Sequence, residues 1–215
     1  MIVEEIMQRD LHLLSPEDKI GTALQLFRDK KIRHVPIVDD KGELVGIVTD
    51  RDVKDSTPSI LKKDLSDEEL NKPLSVIMQK DVFTGHPLDF VEDIAATFYE
   101  YKIGCMPIVQ GGEVIGIVTE SDVLRTFVEL TGVNQPGSRI EIQMPHKQGQ
   151  LFEAIEVLNK RRVQIQSVLV YPDKKKEDSR IVVFRIRTMN PTGVIDDLKK
   201  DGYNVRWPNM PGMDT

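Results

Sequence analysis

The stretch Gly46-Ile47-Val48-Thr49-Asp50-Arg51-Asp52 recurs as Gly116-Ile117-Val118-Thr119-Glu120-Ser121-Asp122. Self-similarity at this spacing marks two copies of one supersecondary unit, neither of which buries its apolar face alone. The correspondence extends outward on the N-terminal side. Ile6-Met7 returns as Ile77-Met78, Pro16 as Pro87, and Pro36-Ile37-Val38 as Pro107-Ile108-Val109, an offset of 71 throughout. From Gly46 to Gly116 the offset is 70. The lost residue falls between Val38-Asp39-Asp40-Lys41-Gly42 and Val109-Gln110-Gly111-Gly112, where a tight hairpin tolerates it.

Each copy announces its elements. Ser15 suits a helix N-cap, Pro16 the first helical position, and Glu17 and Asp18 the positive end of the dipole. Ile20, Ala23, Leu24 and Phe27 then line one helical face, as do Val91, Ile94, Ala95 and Phe98 in the second copy. Two short β-branched runs follow around a Gly-containing turn: Val35 to Val38 with Leu44 to Val48, and Met106 to Val109 with Val114 to Val118. A last helix opens at Thr49 or Thr119, so each copy reads helix–strand–strand–helix. Between the copies, Asp55 to Ser75 is polar, with a helical stretch around Leu65 to Leu70, and serves as a connector.

The pattern changes after Leu130. Gly132-Val133-Asn134-Gln135-Pro136-Gly137 has linker composition. Ile140, Ile142 and Met144 alternate as a strand, and Leu151, Ile155 and Leu158 line a helix. Val163 to Tyr171 and Ile181 to Thr188 read as strands, Pro191 to Lys200 as a helix, and Tyr203 to Trp207 as a last strand. This is the βαββαβ order of a ferredoxin-like split βαβ unit. The expected organisation is repeat 1 over 1–60, a connector over 61–75, repeat 2 over 76–131, a linker over 132–138 and a second module over 139–210, all of mixed α/β (α+β) class.

Composition sets further bounds. The 215 residues are 40% hydrophobic and 30% charged, ordinary for a soluble globular protein. The start Met1-Ile2-Val3-Glu4-Glu5-Ile6 has no basic region or long apolar run, so neither a signal peptide nor membrane association is expected. A single cysteine, Cys105, rules out an internal disulfide and makes the cytoplasm the default location. The net charge of −6 argues against nucleic acid as a partner. Lys174-Lys175-Lys176 meets Glu177-Asp178 at once and reads as a solvated hairpin tip. The histidines His12, His34, His86 and His146 show no metal-ligand spacing, and neither a Walker-type loop nor a Gly-x-Ser-x-Gly elbow occurs.

The repeated Thr and Asp admit two readings. At a strand–helix junction the Thr hydroxyl accepts from the helix's free N–H groups while the Asp reaches back, a capping box that needs no ligand. Alternatively, the Asp carboxylate pairs with ribose hydroxyls, the helix start attracts phosphate, and Gly46 or Gly116 lets a ligand approach the backbone.

The pattern Gly-hydrophobic-x-Thr-x-x-Asp after a Pro-Ile-Val strand, present twice over about residues 1 to 130, resembles a tandem CBS-domain pair. The resemblance implies two βαββα-like repeats in a pseudo-twofold module whose clefts bind AMP, ATP or S-adenosylmethionine. It assigns ribose to Asp52 and Asp122, ribose or phosphate contact to Thr49 and Thr119, and the adenine flanks to Ile32 through Pro36 and Ile103 through Pro107. Gly46, Gly116, Thr84 and Cys105 complete the candidate nucleotide site. The copies differ: Arg33, His34 and Arg51 stand where repeat 2 has Gly104, Cys105 and Ser121. Because guanidinium groups suit phosphate oxygens, the resemblance implies a lopsided receptor with its phosphate-binding character in repeat 1. As the counterpart of His34, Cys105 lines the second cleft, and without an activating partner it is not expected to be a redox thiol.

Residues 139 to about 208 resemble an ACT domain, which implies amino-acid binding or dimerisation. Its effector-loop candidates are His146, Gly149 and Leu151. Gln148 stands where the family pattern has Pro, which favours a structural role. The combined modules, with Asp89-Phe90-Val91-Glu92, Glu129-Leu130-Thr131-Gly132 and Trp207-Pro208-Asn209-Met210-Pro211-Gly212-Met213-Asp214, resemble bacterial acetoin-utilisation proteins. This implies a link to acetoin or butanediol catabolism, with an enzyme or regulator of acetoin or acetate metabolism as partner. The leading expectation is a non-enzymatic, homodimeric sensor of an adenosine nucleotide, with no metal and no catalytic cofactor. A constitutive dimeric scaffold and an enzyme of acetoin metabolism are the alternatives.

Overall fold

The computed structural model describes residues 1–56 and 67–208. Part of the expected connector, 57–66, and the end of the quoted C-terminal stretch, 209–215, lie outside the described residues. The chain divides into two compact units, Met1–Leu124 and Arg125–Thr215.

In the first unit, repeat 1 contains α1 (Ile20–Lys30), β1 (His34–Val38), β2 (Leu44–Thr49) and α2 (Asp50–Asp55). After α3 (Asp67–Leu70), repeat 2 contains α4 (Val91–Tyr101), β3 (Cys105–Gln110), β4 (Glu113–Thr119) and the start of α5 (Glu120–Thr131). The antiparallel registers are equivalent: His34 faces Thr49 in one repeat and Cys105 faces Thr119 in the other. The one-residue difference sits in the hairpins, as expected. Gly111 and Gly112 both take positive φ (63° and 96°) and close β3–β4 as a two-residue turn. The longer β1–β2 turn is organised by the Asp39 carboxylate, which accepts from the amides of Lys41 and Glu43.

One expectation is corrected. The α1 helix does not begin at Ser15-Pro16 but at Ile20, with Lys19 as its N-cap. The Asp18 carboxylate instead reaches back to the Ser15 amide at 2.7 Å and closes a separate turn. Asp89 does the same for His86 at 2.7 Å, ahead of α4. Residues with strong N-cap propensity bond their own backbone here and compete with the helix.

A second feature decides the architecture of the unit. The leading segments of the repeats are exchanged. Leu74, Ile77 and Met78, which precede repeat 2, pack in the core of repeat 1 with Ile20, Phe27, Val35 and Ile37. Val3, Ile6 and Met7, which precede repeat 1, pack with Ile94, Phe98, Met106 and Ile108 of repeat 2. Backbone pairs fix the exchange: Ile47 with Gln79, and Gln8 with Ile117, each bonded in both directions at 2.9–3.0 Å.

The second unit contains β5 (Ser138–Pro145), α6 (Gln150–Lys160), β6 (Ile165–Pro172), β7 (Ser179–Ile186), α7 (Thr192–Lys200) and β8 (Asn204–Trp207). Its antiparallel sheet has the order β6-β7-β5-β8, the split βαβ topology read from the sequence. Ile140, Ile142, Val182, Phe184 and Ile186 meet Ala154, Leu158, Ile195 and Leu198 of the helices. The expected linker is tied to this sheet. Arg185 donates to the Val133 and Gln135 carbonyls, Gln166 to that of Pro136, and Ser167 to that of Thr131. The charged hairpin tip is exposed, and Asp173 at its base accepts from the Lys175 amide, Gln143 and Ser179.

Candidate functional site

Both capping boxes are formed. The Asp52 carboxylate accepts from the Thr49 amide and hydroxyl, each at 2.7 Å, and the Asp52 amide donates back to the Thr49 hydroxyl at 3.1 Å. Asp122 repeats this with Thr119 at 2.9, 2.6 and 3.3 Å. In each case Oδ2 is committed to the box. The other oxygen, Oδ1, accepts from a glutamine that the sequence reading missed: Gln79 Nε2 at 3.0 Å on Asp52, and Gln8 Nε2 at 2.8 Å on Asp122. The exchanged segments deliver these glutamines. The available signal was the extended repeat Ile6-Met7-Gln8 and Ile77-Met78-Gln79, in which the amide also recurs at an offset of 71.

The glycines have a different role from the one expected. A Cβ on Gly46 would lie 2.9 Å from the Gln79 carbonyl and 3.0 Å from Met78 Sδ; one on Gly116 would lie 2.6 Å from Met7 Sδ. Close approach is the reason for both, but the group that approaches is the exchanged segment.

The two motifs differ in access and charge. Asp122 is buried at 2% exposure, whereas Asp52 is half-buried. Arg33 and Arg51 are exposed, and His34 is half-buried. His34 Nε2 lies 3.2 Å from where a Gly104 Cβ would stand, so the absence of a side chain there leaves room for the imidazole. Burial pushes the His34 pKa below its ordinary value, and the field of Arg33 pushes it further; Asp50, Glu120 and Asp52 oppose the shift. The imidazole is therefore neutral at pH 7 with carboxylates from both repeats in its field. Cys105, its counterpart, is buried, and desolvation raises its pKa to about 12. It is a packed thiol and not a reactive one.

The remaining candidates fall into place around these. Pro36 and Pro107 are buried in the first strands, while Ile32 and Ile103 are half-buried just ahead of them. The Arg33 carbonyl accepts from the Asp50 amide at 3.0 Å and that of Gly104 from the Glu120 amide at 3.2 Å, which fastens each segment to its motif. Ser121 is exposed on the first turn of α5. Thr84 is exposed on the approach to Gly85, and among the described residues no hydrogen bond joins its side chain to either motif. In the second unit, Gly149 takes φ 87° as the N-cap of α6, and Leu151 packs against the core. His146 is exposed, its amide bonded to the Asp178 carbonyl. Chain conformation and packing account for the first two. Among the described residues no group of three or more potential metal ligands occurs, and no helix is long and apolar enough to cross a membrane.

Two β-hairpins with exchanged leads, each ending in a Thr-x-x-Asp box, define a paired-repeat module. The CBS domain model matches residues 3–57 and 74–129, and the chain belongs to the CBS-domain family. The solved structure of a Vibrio cholerae protein assigned to acetoin utilization (AcuB) is 31% identical, covering 63% of this chain and 96% of that one, with a TM-score of 0.54. The CBS domain pair of protein MJ0100, in complex with 5′-methylthioadenosine and S-adenosyl-L-methionine, is 30% identical over 59% of this chain and 95% of that one (TM-score 0.51). CBSX2 in complex with AMP is 28% identical over 60% and 98% (TM-score 0.53). Among curated relatives, homoserine O-acetyltransferase of Methanococcus vannielii is 34% identical over 127 residues, but this chain spans only 25% of its length.

Proposed function

We propose that the protein is a non-enzymatic regulator that senses an adenosine ligand through the first repeat. The ribose hydroxyls would pair with Asp52 beside Thr49, the adenine would lie against the segment Ile32 to Pro36, and Arg33, His34 and Arg51 would face phosphate. The second site, built on Thr119 and Asp122 with Ser121, Ile103, Cys105 and Pro107, would bind the same class of ligand weakly. The observation that carries this reading is the half-buried Asp52 carboxylate, already oriented by Thr49 and Gln79 beside a neutral imidazole. Ligand complexes of two similar CBS pairs support adenosine as the class. The sensing module would shift between two arrangements on binding and change how the second unit is presented. That second unit would be an ACT-type module with a dimerising role. AMP, ATP and S-adenosylmethionine are the effectors to test. The likeness to the Vibrio protein extends the proposal to acetoin metabolism, with a homodimer acting on an enzyme or regulator.

A specific observation favours a second reading, a constitutive scaffold: both boxes are satisfied internally, and the glycines serve the exchanged segments. Asp52→Glu separates the two readings. Glutamate still completes a capping box, while the added methylene displaces the carboxylate from a ribose. The sensor predicts that AMP or ATP raises the melting temperature of the wild type but not of Asp52→Glu, whose own stability is retained. If calorimetry detects no binding of AMP, ATP or S-adenosylmethionine at millimolar concentration, the scaffold stands instead.

A further inference from the structure

A cavity of about 400 Å³ opens between α1 and α2 of repeat 1, on a flank of α2 other than that of Asp52. Its apolar part is Leu24, Phe27, Ile32 and Val53, and its polar part includes Arg28, Lys31, Arg33 and Asp50. On α2 the cavity residues Asp50, Val53 and Lys54 share one face, while Asp52 points about half a turn away toward Gln79. Asp50 is occupied by Lys54 at 2.8 Å, and this bond holds its carboxyl below the usual carboxylate range. Among the described residues Arg28, Lys31 and Arg33 form no salt bridge. Three cations therefore converge on an apolar pocket in a chain of net charge −6.

Cations at the end of a helix are ordinary, but the second repeat shows that this cluster is not required by the fold. At the positions of Arg28, Arg33 and Lys54 it carries Tyr99, Gly104 and Leu124. Lys31 is matched by Lys102, and both occupy the left-handed region (φ 54° and 57°) that ends their helices. Lys102 lies 4.3 Å from the centre of the Tyr99 ring, a favourable cation–π contact. Lys31 has Arg28 at the position of that ring, so the aromatic partner of its counterpart is missing.

We propose that this cavity is a ligand site distinct from the Thr49–Asp52 box, which it adjoins through Ile32 and Arg33, and that it takes an amphipathic organic anion: a flat apolar body on Leu24, Phe27 and Val53, and a carboxylate, sulfonate or phosphate on Arg28 and Lys31. Its volume falls at the lower end of the roughly 300–1,000 Å³ usual for small-molecule pockets. The probe is 1-anilinonaphthalene-8-sulfonate, titrated by fluorescence into the full chain alongside its uncharged relative N-phenyl-1-naphthylamine. The sulfonate should bind saturably, at least tenfold more tightly than the neutral dye. The double variant Arg28→Glu/Lys31→Glu should weaken it at least tenfold, and the matched variant Lys102→Glu should leave it unchanged. Both substituted residues are exposed, and circular dichroism checks that the variants fold. Amide chemical-shift changes on dye addition should centre on Leu24, Phe27 and Val53, which locates the site without any substitution. Equal binding by the double variant, equal affinity for the neutral dye, or shifts centred elsewhere would overturn the proposal. Complete displacement of the dye by AMP would also overturn it, by making the cavity part of the nucleotide site.

Discussion

His34 shows how one residue links position to chemistry. Its imidazole is held neutral by burial and by Arg33 against the carboxylates of Asp50, Asp52 and Glu120. As pH falls below the ordinary histidine value of about 6.5, the unfolded chain takes up a proton before the folded one, so stability is complete above that pH and diminishes below it. Urea midpoints at pH 7.5 and 5.5 should differ less in His34→Gln than in the wild type. If His34 faces a phosphate, that dianion favours the imidazolium, and nucleotide affinity should rise between pH 7.5 and 6 in the wild type but not in the variant. At this scale the sequence was half legible. The Thr–Asp boxes and the unequal cations are visible as residue types, but Gln8 and Gln79 carry no chemical signal until their segments are seen to cross.

The exchanged segments give the elements their tolerances. Gly46→Ala would drive a Cβ into the Gln79 carbonyl, which the Ile47 ladder holds in place and which has no rotamer to change. Overpacking of this kind costs about 1–3 kcal/mol, and urea denaturation should show a loss in that range. Asp52→Glu, by contrast, should stay within about 0.5 kcal/mol of the wild type, because the box survives. In the second unit the Lys175 amide, together with Arg206, holds the Asp173 carboxyl below its ordinary range. The stability it adds is complete above the usual carboxylate pKa and lost as pH falls through the lower folded value. An acid titration of Asp173→Asn should therefore lack this component. Strand positions were legible because β-branched runs sit between turns. The α1 start was not, because Ser15 and Asp18 satisfy each other instead of the helix.

On the scale of the whole first unit, neither repeat is complete with its contiguous residues. Removal of residues 1–8 would take Val3, Met7 and Gln8 from repeat 2 while leaving the repeat 1 core formally intact. Hydrogen exchange on the truncated chain should accelerate first in α4, β3 and β4. Equal loss of protection in α1, β1 and β2 would show that the unit unfolds as one. An offset of 71 says that two segments are equivalent, and nothing in that number says which repeat each one joins. This is why the exchange was not foreseen.

The exchange also orders events during synthesis. The first eight residues leave the ribosome long before Ile117, the strand residue they pair with, has been made. Repeat 1 in turn cannot close its sheet until Gln79 emerges. Repeat 1 waits only on a segment made soon after it, whereas repeat 2 closes on residues made first, so protease resistance should appear in repeat 1 once Gln79 has cleared the exit tunnel and in repeat 2 after about residue 120 has done so.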